Sequence, residues 1–89
     1  MAYEKFYEIA DDVREECERQ DSVWGENRNH DSYTWLAILT EEVGEAAQST
    51  LQDEYGGRHA GTLREELVQA AAVISQWIAY LDRSGYDER

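Results

Sequence analysis

Three observations in the sequence predict an all-α fold, a bundle of three main helices completed by oligomerisation. The 89 residues include no proline, 42% of them are hydrophobic, and the middle of the chain is rich in alanine and glutamate. Apolar side chains recur at three- and four-residue spacing in three stretches separated by glycine-containing segments. A chain of this length makes one domain, residues 1–89, with a modest core that association with further copies would extend.

Phe6, Ile9, Ala10, Val13 and Cys17 define the apolar side of a first helix from Tyr3 to Gln20. Cys17 is the single cysteine, which excludes an intrachain disulfide; its place on this stripe predicts a core thiol. From Asp21 to Ser32 the chain has no period and many turn formers, so it reads as a loop in which Asp31 or Ser32 caps the next helix. Trp24, Asn27, Asn29 and His30 fall in that loop, and a long ordered loop in a small domain points to function.

The second helix runs from Tyr33 to Tyr55 and stops at Gly56-Gly57, where a left-handed terminal conformation costs least. The third begins at Thr62, whose spacing to Glu65 matches a capping box. Its apolar stripe continues to Leu81, Ser84-Gly85 ends it, and residues 86–89 form a frayed tail. Trp35 and Trp77 lie near the helical stripes and are expected in the core.

Twenty acidic residues against eight basic ones give a formal net charge of −12. Binding along a nucleic-acid backbone needs a basic face that exchanges counterions, so that class of function is excluded. Lys5 is the sole lysine, a bias that fits either a high-salt source or a preference for arginine. No apolar run is long enough to span a membrane, and Met1 to Lys5 do not begin a signal peptide, so the cytoplasm is the expected compartment.

The carboxylates are not spread evenly. At about 100° per residue, Leu36, Leu39, Val43, Ala46 and Thr50 form one stripe on the second helix, and Leu63, Leu67, Ala70, Ile74 and Leu81 form its counterpart on the third. Glu42 and Glu66 each lie roughly 60° to the same side of their stripe, and Glu45 and Gln69 roughly 120° to that side. If the stripes pack together, three carboxylates and an amide converge at the bundle's edge. Like charges so placed repel unless a hard cation neutralises them. Each pair read alone is equally a solvated acidic helix face.

The run Trp35-Leu-Ala-Ile-Leu-Thr-Glu-Glu-Val-Gly-Glu45, followed by Leu63-Arg-Glu-Glu-Leu-Val-Gln69, resembles the MazG-like family of all-α nucleoside triphosphate pyrophosphohydrolases. That family pairs Glu-Glu-x-x-Glu on one helix with Glu-x-x-Asp on the next, and Trp24-Gly25 and His30 look like the loop that precedes the first motif in short members. The likeness covers residues 20 to 82. It implies Mg²⁺ (or Mn²⁺) held by Glu42, Glu45 and Glu66, with Glu41 as an additional or second-layer group that takes a proton from the attacking water. The reaction implied is hydrolysis of a (deoxy)nucleoside triphosphate to the monophosphate and pyrophosphate. It also implies a homodimer or a dimer of dimers whose pocket is completed by a second protomer.

Gln69 departs from the pattern, standing where the family has aspartate. Its carbonyl still suits a hard cation, but it brings no charge, so metal is held less tightly or one ion fewer is bound. Trp24 is the expected stacking partner of the base, His30 a contact for phosphate or sugar, Asn27 a reader of base or sugar edges, and Arg58 and Arg64 contacts for the outer phosphates near the positive end of the third helix. Two alternatives stay open: a nucleotide-binding or sequestering relative with weak or no turnover, and an acidic protein that mimics DNA phosphates.

Overall fold

In the computed structural model, residues 1–86 are described and form three α-helices without a strand: α1 (Tyr3–Trp24), α2 (Ser32–Tyr55) and α3 (Leu63–Ser84). The all-α class is therefore as the sequence predicts. Helix α1 runs one turn further than its apolar period, so Trp24 is its last residue rather than part of a loop, and Gly25 ends it at φ +95°. Asp31 caps α2, its carboxylate accepting a hydrogen bond from the Thr34 amide at 2.8 Å. Gly85, in the left-handed conformation, ends α3. Of the expected tail, residues 87–89 lie outside the described residues.

The capping box does not form. Thr62 adopts φ −106° and ψ 6°, and its hydroxyl donates to the His59 carbonyl at 2.7 Å instead of capping α3. The reason lies in the turn. Ser49 of α2 donates to the same carbonyl at 3.0 Å and stands 3.1 Å from the Thr62 hydroxyl, so both side chains tie the 56–62 connection to α2.

Partners along the chain give the helix directions. Ser49 meets Thr62, Glu45 meets Glu66, and Trp35 meets Tyr80, so α2 and α3 run antiparallel. Asp12 meets Arg64 and Cys17 meets Ala72, so α1 runs parallel to α3. Helix α3 packs against both others, while no Cα of α1 comes within 8 Å of one in α2. The result is three packed helices, as expected, with α3 in the middle and a cleft where α1 and α2 diverge.

Packing also departs from the expected stripes. On α2 the buried side carries Trp35, Ala46 and Ser49 with Glu42 half-buried between them, roughly 90° around the helix from the Leu36–Val43–Thr50 line. Leu36 and Val43 of α2, and Leu67 and Ile74 of α3, stand exposed. Small residues explain the rotation. Ala46 and Ser49 on one helix, facing Ala70 and Val73 on the other, permit close approach. Trp35, only 1% exposed, brings the largest apolar surface of α2 into that contact. His30 packs edge-on against its ring at 4.9 Å, and the Arg28 guanidinium lies 5.9 Å over it. The loop from Gly25 to Asp31 is pinned further by Arg28, which donates to the Gln76 side chain at 2.8 Å, and by Arg83, which donates to the Arg28 carbonyl at 3.2 Å.

Candidate metal centre

Rotation of α2 turns its acidic side toward α3. Glu42 and Glu45, one turn apart, meet Glu66, and one carboxylate oxygen from each lies within 4.8 Å of the others. Oxygens opposite one another on a hard cation stand about 4–5 Å apart, so three such groups fit around a single ion. Glu42 Oε2 and Glu66 Oε2 are sealed from solvent, and neither has a hydrogen-bond partner among the described residues. Buried polar atoms are nearly always satisfied, so two unpartnered acceptors in this cluster call for a proton or a cation. An oxygen-only donor set suits Mg²⁺ or Mn²⁺ rather than softer metals.

The electrostatics agree with the geometry. Burial raises the Glu42 carboxyl to about 7, and the neighbouring Glu45, Glu66, Glu41 and Glu16 push in the same direction. Glu66 is also raised, first by burial and then by its contact with Glu45. Like charges in a partly desolvated site favour the protonated form, and a bound cation reverses that preference.

Beside the carboxylates, α1 and α2 diverge over Val73 of α3 and leave a cleft of about 440 Å³. Its walls include Glu41 and Glu42 from α2, Trp24, Arg19 and Gln20 from α1, and Arg28 and His30 from the loop. Trp24 is 70% exposed there, and Glu41 is exposed next to the half-buried Glu42. Of the residues singled out from sequence, the structure thus brings Trp24, His30 and Glu41 to one cleft at the edge of the Glu42–Glu45–Glu66 cluster. Gln69 is half-buried one turn beyond Glu66.

Three others are not among the residues that line the cleft. Asn27, held at φ 52°, lines a smaller cavity of about 210 Å³ with Cys17, Asp21 and Gln76. Arg64 donates to Asp12 of α1 at 2.7 Å. Arg58 is exposed in the 56–62 connection. The cations that do line the cleft, Arg19 and Arg28, went unnoticed in the sequence. Arg19 grips Glu16 through two hydrogen bonds of 2.8 and 2.7 Å, and that pairing holds the Glu16 carboxyl below its ordinary range. The nearby Glu42 and Glu65 carboxylates add to the field that raises the Arg19 guanidinium. An i, i+3 Glu–Arg pair looks like ordinary helix surface, and only the packing of α1 shows what lies opposite it.

Comparison with known protein families, with characterised proteins and with solved structures finds no match to this chain. The functional reading rests on the residues themselves.

Proposed function

We propose that this chain is a Mg²⁺-dependent nucleoside triphosphate pyrophosphohydrolase, releasing the monophosphate and pyrophosphate. The observation that carries the reading is the meeting of Glu42, Glu45 and Glu66 from two helices, with two of their oxygens sealed and unpartnered beside an open cleft. Glu42, Glu45 and Glu66 would hold the ion, with the half-buried Gln69 one turn beyond Glu66 offering a neutral oxygen. An ion held there would neutralise phosphate charge and lower the pKa of a bound water.

The remaining roles belong to the chain. Glu41, exposed beside Glu42, accepts the proton of the water that attacks the α-phosphorus. Arg19 and Arg28 line the cleft and offer the cationic contacts that a triphosphate needs in a chain of net charge −12. Trp24 provides a ring face for the base, and His30 a contact for sugar or phosphate. The inward turn of Glu42 and Glu66 supports cation binding over DNA mimicry, which calls for carboxylates spread on the outer surface.

Gln69 favours a second reading, in which the site binds nucleotide without turning it over, because an amide weakens the charge on the ion site. A panel of ribo- and deoxynucleoside triphosphates with millimolar Mg²⁺, assayed for pyrophosphate, separates the two. Pyrophosphate from at least one nucleotide supports the enzyme. Mg²⁺-dependent binding by calorimetry with no pyrophosphate supports sequestration, and neither signal rejects both.

A further inference from the structure

We infer that Glu16, behind the wall of the cleft, is a positioning residue that fixes the Arg19 guanidinium for the phosphate chain of a nucleotide, a role that rests on the nucleotide-binding reading of the cleft. Arg19 Nε and Nη2 donate to the two Glu16 oxygens at 2.8 and 2.7 Å, and the buried Gln20 donates to Glu16 Oε2 at 2.8 Å. One carboxylate thus holds two residues that line the cleft.

This pair differs from its neighbours on α1. Lys5–Glu8, Arg14–Asp11 and Arg14–Glu18 each meet through a single contact with both side chains at least 60% exposed, a state in which such pairs stabilise little. Glu16 is only 12% exposed, while Arg19 is 56% exposed. A carboxylate sunk in the packing therefore sets the direction of a guanidinium that a ligand can still reach. Held through Nε and Nη2, the fork keeps its Nη1 donors for a further acceptor, and phosphate oxygens suit planar, charge-assisted donors.

Charge alone argues the other way. Glu16 offsets the charge of Arg19 in a chain whose net charge is already −12, so its removal should strengthen attraction for any anion. Fixing the side chain beforehand instead avoids the entropy that a free arginine loses when it binds. It also keeps Arg19 from Glu42 and Glu65, whose carboxylates already act on its guanidinium and would compete with phosphate for it.

The probe is inorganic tripolyphosphate, titrated into the full chain by calorimetry in millimolar Mg²⁺, which reads the grip without a base and without turnover. Glu16→Gln, nearly the same shape, should weaken binding by about fivefold, and Arg19→Ala by at least about tenfold. In the Arg19→Ala background, Glu16→Gln should change affinity by less than about twofold, because Glu16 acts through Arg19. Unchanged or tighter binding by Glu16→Gln overturns the proposal, as does an equal loss with and without Arg19. If Glu16→Gln does not fold, Arg19→Lys decides: it keeps the charge and loses the fork, so binding about fivefold weaker supports positioning and wild-type affinity overturns it. A wild-type chain that binds no tripolyphosphate overturns the proposal even if it releases pyrophosphate from nucleotides. One that binds it through Glu16 and Arg19 but hydrolyses no nucleotide keeps the proposal and loses the hydrolase.

Discussion

On the cleft face of the three helices, glutamates are drawn inward until Glu42 Oε2 and Glu66 Oε2 lose their solvent. On the opposite face, six aliphatic side chains, Leu36, Val43 and Leu51 of α2 and Leu67, Ile74 and Ile78 of α3, stand in water. Each placement costs free energy in the isolated chain: burying carboxylates without partners is expensive, and uncovered aliphatic surface forgoes about 25 cal/mol per Å². On α2 one choice of side sets both, because the side that fits α3 carries Trp35, Ala46, Ser49 and Glu42, while the leucine side is left outward. The two faces therefore differ in chemistry, carboxylates drawn together on one and aliphatic side chains exposed on the other.

The largest effect should come from the cleft face. Replacing Glu42, Glu45 or Glu66 by glutamine is expected to lower kcat/KM for pyrophosphate release by at least about a thousandfold. In EDTA at pH 8 the same variants should melt higher than wild type, since each removes a charge from a repelling cluster. Retained turnover in all three would remove them from the site.

Between the faces lies the tryptophan that sets the rotation. Trp35→Ala should cost about 3–5 kcal/mol in urea denaturation. Leu36→Ala, at a side chain half in solvent, should cost less than about 1 kcal/mol. A large loss at Leu36 would mean that α2 turns its leucine side to α3 after all.

Proton and metal should compete on the cleft face alone. Glu42 titrates at 4.5 in its ordinary state and about 7 in the fold, so between these values the native chain holds a proton that the unfolded chain has lost. Stability in EDTA should therefore fall as pH rises from 5 to 8. Millimolar Mg²⁺ should raise Tm by on the order of 5 °C at pH 8 and much less at pH 5. Equal melting curves with and without Mg²⁺ at pH 8 would argue against a metal there.

Gln69→Asp should produce the smallest change, tighter Mg²⁺ binding by calorimetry and a gain of several-fold in activity at low Mg²⁺ that vanishes at saturation. Lower activity at every metal concentration would instead give the amide a part in orienting substrate or water.

Much of this was legible from residues alone. The three helices, the stops at Gly56 and Gly85, the Asp31 cap and the equivalent placement of Glu42 and Glu66 all follow from local spacing, because propensity, capping and wheel position depend on neighbours a few residues away. Local spacing does not reveal which side of a helix meets another. That choice rests on how closely two backbones approach, and here alanine and serine opposite alanine and valine outweighed the leucine stripes. Thr62 likewise matched a capping box but found the His59 carbonyl nearer. The cationic lining of the cleft, Arg19 and Arg28, depended on where α1 and the following loop settle against α3, a contact across some fifty residues of chain that no short motif encodes. The sequence by itself determined the helices and the carboxylates that two of them carry; only the tertiary structure decided that those carboxylates turn in and the aliphatics turn out, since the side chains that choose between the faces belong to different helices.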